Sequence, residues 1–317
     1  MTAFVVVLAG LVVLGLQWGS DGSSDASGGA ARAGSSAGAG AAQTPEAPAG
    51  QAALGPIEGG VDLANTLDPV RLKFKRPPRA ALLVNLDTGE VLWRHNPERA
   101  LPIASLTKMM TGLVAVDELE PGDKARITKS VLNYSGSGMG VLPKGKRVKV
   151  ETLLYGLMLP SGNDAARALA FRAAGSIKGY VAKMNQKAAA MGLKCTQFAG
   201  VEGLSSGNRS CPADLAVMAK AVLDTPRLAK IVKTRTAVRP FPIKGGKVYL
   251  YNHNPLLVSG YPGTIGVKTG YTDDAGRCFI AAVRRKGVRL AAIVLHSENP
   301  GKQTRQMLDR GFKIALD

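Results

Sequence analysis

The sequence predicts an α+β domain: one antiparallel sheet assembled from both ends of the chain, with flanking helices and an inserted helical subdomain. Three observations predict it. Apolar, strand-like runs lie near residue 80 and again after residue 264. The stretch between them is dominated by apolar residues at helical spacing. A last segment, Gly301 to Leu316, alternates apolar and basic residues at that same spacing. No internal repeat is visible.

Taken in order, Ala3 to Leu16 is almost wholly apolar and is ended by Gln17 and Trp18. That length suits a signal-peptide core and is short for a spanning helix. No Lys or Arg precedes the run and no small-x-small cleavage site follows at once, so residues 1–18 read as a signal peptide or an uncleaved N-terminal anchor. Gly19 to Gly59 is Gly, Ala, Ser and Pro with few branched or aromatic side chains, too little to drive ordering. The reading is a flexible linker over 19–75 and a catalytic domain over 76–317. The chain stops soon after Lys313, which predicts membrane contact only through the N-terminus.

Within the domain, Ala80 to Asn85 and Val91 to His95 flank Asp87-Thr88-Gly89, a β-hairpin signal. Pro102 and Ser105 open a helix running from Leu106 to Leu119, closed by Pro121-Gly122-Asp123. Asn133 to Gly145 is rich in Gly and Ser and reads as loop. Val150 to Leu159 is helical, Pro160-Ser161-Gly162-Asn163 interrupts it, and Asp164 to Ala174 resumes as an Ala-rich helix. Gly179 to Met191 and Pro212 to Leu223 are further helices. Thr264 to Thr269, Arg277 to Arg284 and Arg289 to His296 read as strands, linked by turns at Thr272 to Gly276 and at Lys286-Gly287.

Residues 1–55 hold one basic and three acidic residues, leaving 40 basic against 20 acidic in the remainder, a net charge of +20. Such a surface attracts polyanions. Aromatic content is only 5% and no zinc-ligand spacing or nucleic-acid motif is present, so nucleic acid is not the expected partner and no metal is expected. Anionic cell-wall polymers fit an exported protein better; a basic surface that only aids solubility is the plain reading. Cys278 lies in an apolar strand and reads as a buried small side chain. Cys195 and Cys211 flank a Gly-rich loop and either pair in an oxidising compartment or stay as free thiols.

Three motifs carry the chemistry. Ser105-Leu106-Thr107-Lys108 sets a hydroxyl and an ammonium three residues apart, on one helix face. A serine is a poor nucleophile until a base takes its proton. Lys108 can be that base only when neutral, which burial and a second cation both favour; Lys268 is the candidate second cation. Alone, a Ser-x-x-Lys arises about once by chance in a chain of this size. Ser161-Gly162-Asn163 is one of three Ser-x-Asn triplets. It lies between two helices and is fixed in place, whereas Ser206-Gly207-Asn208 looks like a solvated turn and Ser297-Glu298-Asn299 like a strand-to-helix connection. Ser161 is placed to relay a proton to a leaving amine and Asn163 to hydrogen-bond a substrate amide; the plain reading of both is a helix cap. Lys268-Thr269-Gly270 ends a strand. Gly270 leaves room for a peptide along the strand edge. Lys268 and Thr269 offer a charge and a hydroxyl to a carboxylate; the plain reading is an edge strand protected by lysine.

The surrounding residues extend these motifs into blocks: Ile103 to Thr111, Leu153 to Met158 running into Ser161 to Ala166, and Gly266 to Thr272 ending at Ala275-Gly276. With them the chain resembles the D-alanyl-D-alanine carboxypeptidases of serine peptidase family S11, the low-molecular-mass penicillin-binding proteins, over about residues 78 to 316. The resemblance implies the penicillin-binding transpeptidase (β-lactamase-like) fold. It implies an acyl-enzyme on Ser105, Lys108 as base, Ser161 assisting proton transfer, and an oxyanion hole from the backbone N–H groups of Ser105 and Tyr271. It further implies peptidoglycan stem peptides as substrates, β-lactam antibiotics as inhibitors, no cofactor, a monomer, and a location on the outer face of the cytoplasmic membrane or beyond. The chain departs from the family's pattern in three places. A second β-rich domain and an amphipathic C-terminal anchor helix are missing. Ala199-Gly200-Val201-Glu202-Gly203-Leu204 stands where members usually show Asn-Pro-x-Gly-Leu. His296-Ser297-Glu298-Asn299-Pro300 stands where many carry a carboxylate-holding Arg, which shifts that work to Lys268 and Thr269.

Other readings remain at this stage. A class A β-lactamase shares the motifs but uses a Glu to activate water; the only Glu between Asn163 and Lys268 is Glu202, with no Asn four residues on. A D,D-endopeptidase needs a wider cleft. A wall-binding protein with an inactive site needs none of the motifs intact.

Overall fold

The computed structural model describes residues 60–317. The N-terminal leader and most of the linker lie outside the described residues. The elements of five residues or more are β1 (Ala80–Asn85), β2 (Val91–His95), α1 (Lys108–Glu118), α2 (Val150–Met158), α3 (Asn163–Ala174), α4 (Ile177–Ala190), α5 (Pro212–Asp224), α6 (Pro226–Val232), β3 (Thr236–Pro240), β4 (Lys247–Tyr251), β5 (Thr264–Thr272), β6 (Gly276–Arg285), β7 (Val288–Ser297) and α7 (Pro300–Ala315).

The two ends of the chain meet in one antiparallel five-stranded sheet of order β2-β1-β7-β6-β5. The join is the β1–β7 ladder, Ala80 opposite Leu295 through Asn85 opposite Leu290. Side chains alternate across a strand, and here both faces are covered. Leu82, Val84, Ile280, Ala282 and Ile293 face the helical subdomain, while Ala81, Leu83, Phe279, Ala281 and Val294 face α7. This double burial explains why the strands read as unbroken apolar runs. Met307, Leu308 and Phe312 of α7, spaced one and four residues apart, close the second face. β5 pairs with β6 on one side only, and its free edge lies against the short turn that carries Ser105.

Two differences from the sequence reading have plain causes. Residues 60–75, assigned by composition to the linker, are tied to the sheet. The Val70 N–H donates to Leu92 O at 3.0 Å, and Arg94 Nε donates to Asp68 at 2.7 Å. Phe74 meets Trp93 edge-on with centroids 5.6 Å apart. Val70, Leu72 and Phe74 supply, at alternate positions, the large apolar side chains that are sparse from Gly19 to Gly59. The second difference is the β3–β4 ribbon, Thr236 opposite Tyr251 through Pro240 opposite Lys247, which the sequence reading left unassigned. Its inward side is mixed, with Arg239 beside Leu250 and Val248, so no clean alternation of hydrophobicity marked it.

Candidate active site

Ser105 does not sit in an α-helix as expected. It lies in a single 3₁₀ turn, Ala104–Thr107, that leads into α1. In a 3₁₀ turn residues i and i+3 eclipse, which brings Lys108 directly over Ser105: Lys108 Nζ is 2.8 Å from Ser105 Oγ. Ala104, just before Ser105, takes φ +47°, a left-handed conformation uncommon outside glycine and concentrated at functional sites.

Lys108 is 0% exposed and has two further partners, Asn163 Oδ1 at 2.7 Å and the Glu202 backbone carbonyl at 2.6 Å. An ammonium donates to all three. A neutral amine has two N–H bonds and one lone pair. Asn163 and Glu202 can only accept, so they take the two N–H bonds and turn the lone pair on the Ser105 hydroxyl. The site thus specifies a base once its proton is gone. Burial first, and then the charge of Lys268, hold the Lys108 ammonium well below the usual lysine range, against the weaker pull of Glu202 and Asp164. Lys268, 2% exposed on β5, donates to the carbonyl of Thr269 at 3.0 Å, and burial pushes it down to about 7.

The Ser161-Gly162-Asn163 turn joins α2 to α3. Ser161 takes φ +64° and is 7% exposed, and its hydroxyl has no hydrogen-bond partner among the described residues. Buried polar groups are nearly always paired, so this hydroxyl keeps the capacity to donate and to accept a further bond. Neither Ser161 nor Asn163 caps α3; the cap position is Gly162, without a side-chain bond. Asn163 is occupied at both ends, its Nδ2 donating to Ser135 O at 2.7 Å. Asp164 accepts from Met139 N at 2.9 Å. Asn163 and Asp164 together hold the Asn133 to Gly145 loop beside Lys108.

Gly270 and Gly203 explain how the walls come so close. A Cβ on Gly270 would stand 3.0 Å from Ser105 N, 3.1 Å from Ile103 O and 3.2 Å from Ala104 Cβ. A Cβ on Gly203, where φ is +95°, would stand 2.0 Å from Ala104 O and 2.9 Å from Ser105 N. The Ser105 amide is therefore approached from two sides by residues without side chains. Tyr271 follows Gly270 on β5, opposite Arg277.

Several contributors escaped the sequence reading. Glu202 matters through its carbonyl, and its carboxylate is bound to Arg167 at 2.9 Å. Thr111 Oγ1 donates to Val201 O at 2.8 Å and fixes the same loop. Asn208 belongs to no solvated turn: it is buried, and its Oδ1 accepts from Ala199 N at 2.7 Å and Gly200 N at 3.0 Å, while Ser206 beside it is exposed. Ser297 is buried against Gln303 at the β7–α7 connection. Cys195 and Cys211 are bonded to each other, with Cα atoms 5.8 Å apart, and Cys278 is free and buried. Asp214, beside that disulfide, accepts from Cys195 N at 2.8 Å and Thr196 Oγ1 at 2.7 Å.

Residues 75–299 match the profile of the D-alanyl-D-alanine carboxypeptidase family, peptidase family S11. The chain is 36% identical over 244 residues to D-alanyl-D-alanine carboxypeptidase DacF of Bacillus subtilis, a match covering 74% of this chain and 62% of that one. It is 35% identical over 223 residues to D-alanyl-D-alanine carboxypeptidase DacB2 of Mycobacterium tuberculosis, covering 69% and 75%. Among solved structures, a single-residue mutant of the Streptomyces K15 DD-transpeptidase superposes with a TM-score of 0.71 at 30% identity, over 76% of this chain and 100% of that one. The match spans less than two thirds of DacF; the family profile, over residues 75–299, takes in the whole sheet, the 3₁₀ turn and all three motifs. On sequence and architecture alike, the chain belongs to the D-alanyl-D-alanine carboxypeptidase family, S11.

Proposed function

We propose that the chain is a serine D,D-carboxypeptidase that removes the terminal D-Ala from peptidoglycan stem peptides through an acyl-enzyme on Ser105, and that β-lactams acylate the same oxygen. The observation that carries the proposal is the Lys108 cage: two fixed acceptors and the Ser105 hydroxyl around one buried amine. Neutral Lys108 takes the Ser105 proton as Oγ attacks the scissile carbonyl. The backbone N–H groups of Ser105 and Tyr271 receive the oxyanion; one such donor is worth on the order of a hundredfold in rate. Ser161 passes a proton to the departing D-Ala amine, which consumes the one Lys108 gained. Lys268 and Thr269 hold the substrate's terminal carboxylate, and Gly270 lets the peptide lie along β5. Asn163 acts on the base through its bond to Lys108. Water then clears the acyl-enzyme.

The domain works outside the cytoplasm, on the wall side of the membrane, as a monomer tethered or exported through residues 1–18. No described helix is long and apolar enough to cross a membrane. Its positive surface suits anionic wall polymers. A β-lactamase reading is disfavoured because the Glu202 carboxylate is held by Arg167 and is not free to activate water. The test is a fluorescent penicillin: the wild type forms a stable covalent band and Ser105→Ala, which removes only a hydroxyl, forms none. Labelling that persists on the variant overturns the assignment.

A further inference from the structure

The Cys195–Cys211 bond closes a covalent ring over residues 195–211. The mechanism uses what this ring holds out, but not the bond itself. The ring lies between α4 and α5 and is irregular apart from Arg209–Ser210, which pair with Leu101–Pro102. Toward the 3₁₀ turn and α1 it presents backbone. The Glu202 carbonyl accepts from Lys108 Nζ at 2.6 Å, the Val201 carbonyl from Thr111 Oγ1 at 2.8 Å, and the Asn208 carbonyl from Ile103 N at 3.2 Å. Gly203 lies against Ala104 and the Ser105 amide. A backbone carbonyl can be aimed only by fixing the chain that carries it.

The ring is fixed at a neck of consecutive rungs. Gln197 and Arg209 exchange N–H···O bonds of 2.9 and 3.0 Å. Thr196 Oγ1 and Ser210 Oγ lie 2.8 Å apart. Cys195 and Cys211 are joined covalently, and this last rung sits on α5. Cys211 is buried immediately before Pro212, the first residue of α5. Asp214, in the first turn of that helix, accepts from Cys195 N at 2.8 Å and from Thr196 Oγ1 at 2.7 Å. One strand of the neck is thus continuous with α5, and the other is tied to it by sulfur and by a carboxylate. α5 packs in turn on α1, the helix that begins with Lys108. The hydrogen-bonded rungs exchange for water when the neck opens; the covalent rung does not. The Lys108 lone pair points at Ser105 only while both of its acceptors stay in place. Asn163 is carried by α3 and Glu202 by the ring. We propose that the Cys195–Cys211 bond is a positioning element of catalysis: it locks the neck onto α5 and so keeps the Glu202 carbonyl on Lys108 and Gly203 against the Ser105 amide. The inference rests on the carboxypeptidase reading above and adds to it a covalent brace that sets the acylation rate.

The test is single-turnover acylation of the purified full chain by a fluorescent penicillin, well below the melting temperature. Three forms are compared: oxidised, reduced with the reagent then removed without air, and the Cys195→Ala, Cys211→Ala double variant. Cys195 is only half-buried, so a dithiol reaches the bond. The dithiol gives up two electrons and two protons, leaving two cysteine thiols and its own disulfide. The amplitude of acylation counts folded sites, and the rate constant reports their geometry. Both forms without the bond should keep most of the amplitude and acylate about tenfold or more slowly, the scale of losing a hydrogen bond to a charged group. On a peptide ending in D-Ala-D-Ala, kcat should fall likewise while KM stays within about twofold, because the base and not the binding edge has moved. Reoxidation should restore the reduced form. Met307→Ala, on the opposite face of the sheet with the bond intact, is destabilised by its cavity and should acylate with the wild-type rate constant. Unchanged rate constants without the bond, a loss confined to amplitude, or equal slowing in Met307→Ala overturns the positioning role while leaving the carboxypeptidase reading intact. No acylation of the oxidised chain, together with no D-Ala release, removes that reading and the inference with it.

Discussion

Replacing Lys268 with methionine should make the protein more stable and the enzyme worse. Lys268 is buried and, among the described residues, has only the Thr269 carbonyl as partner. Burial lowers it from 10.5 to about 7. At about 1.4 kcal/mol per tenfold change in proton affinity, the ammonium costs the fold at most roughly 5 kcal/mol. Relaxation around the charge reduces the gain from Lys268→Met to about 1–4 kcal/mol at neutral pH, or very roughly 3–10 °C in Tm. The sign can be checked against pH. Between pH 7 and 10.5 the unfolded chain keeps this proton and the folded one has lost it, so wild-type stability rises with pH across that window. The variant should lose that rise. Catalysis should change in two separable ways. Without the neighbouring cation Lys108 holds its proton to higher pH, so the rate on every substrate falls at neutral pH and recovers in alkali. Without the charge a free terminal carboxylate loses a contact worth about 1.5–3 kcal/mol, roughly tenfold to a few hundredfold, whereas a C-terminal amide does not. Thermal melts from pH 6 to 10, with kcat/KM on the acid and the amide, measure all of this. A variant no more stable than wild type at pH 7, with the same pH slope, would refute the account of Lys268 as a costly buried cation. An equal loss on acid and amide would move carboxylate binding to Thr269 or to a group near His296.

Gly270→Ala should cost about tenfold or more in kcat/KM with little change in Tm, because its Cβ meets Ser105 N at 3.0 Å and shifts β5 off the nucleophile by a few tenths of an ångström; unchanged kinetics would reject that close approach. Asn163→Ala removes one of the two acceptors that aim Lys108 and should lower the penicillin acylation rate at least tenfold, on the scale of a hydrogen bond to a charged group. Ser206→Ala, at an exposed position, should label normally; a loss there would mean the wrong Ser-x-Asn has been placed in the site. Reducing the Cys195–Cys211 bond opens the loop it closes in the unfolded chain and should destabilise by roughly 3 kcal/mol, read by melts with and without reductant; equal melts would show that the bond contributes nothing.

The frame was legible because its elements carry strong periodic signals. Ala80–Asn85 and Val91–His95 are strands at the predicted positions, and Pro300–Ala315 is the predicted closing helix to within a residue at each end. What stayed hidden was short or mixed. The β3–β4 ribbon packs Arg239 over Tyr155 at 3.6 Å on its inner side, so a charged residue stands where an alternating strand would show an apolar one. The α6 helix, only Pro226–Val232, is too short to establish a period.

The site divides along a different line. The roles proposed for Ser105, Lys108, Ser161, Asn163 and Lys268 belong to side chains; Lys108 bonds both Ser105 and Asn163, and the charge of Lys268 reaches Lys108. The remaining contributors act through backbone atoms or through a missing side chain. Glu202 gives Lys108 a carbonyl that any residue possesses. Gly203, at φ +95°, lies so close to Ala104 that a Cβ there would meet Ala104 O at 2.0 Å. Asn208 holds the loop that delivers both. The segment Ala199 to Leu204 reads as a departure from the family's Asn-Pro-x-Gly-Leu pattern, yet it keeps the two features the geometry demands: a backbone carbonyl aimed at the base and a glycine immediately after it. Substitution at Glu202 that spares the backbone should therefore leave Lys108 caged, whereas any side chain at Gly203 should displace Ala104 and Ser105 together. Comparing penicillin acylation in Glu202→Gln and Gly203→Ala separates the two: near-normal rates in the first and loss in the second are expected. The opposite order would assign the work to the Glu202 carboxylate and its bond to Arg167.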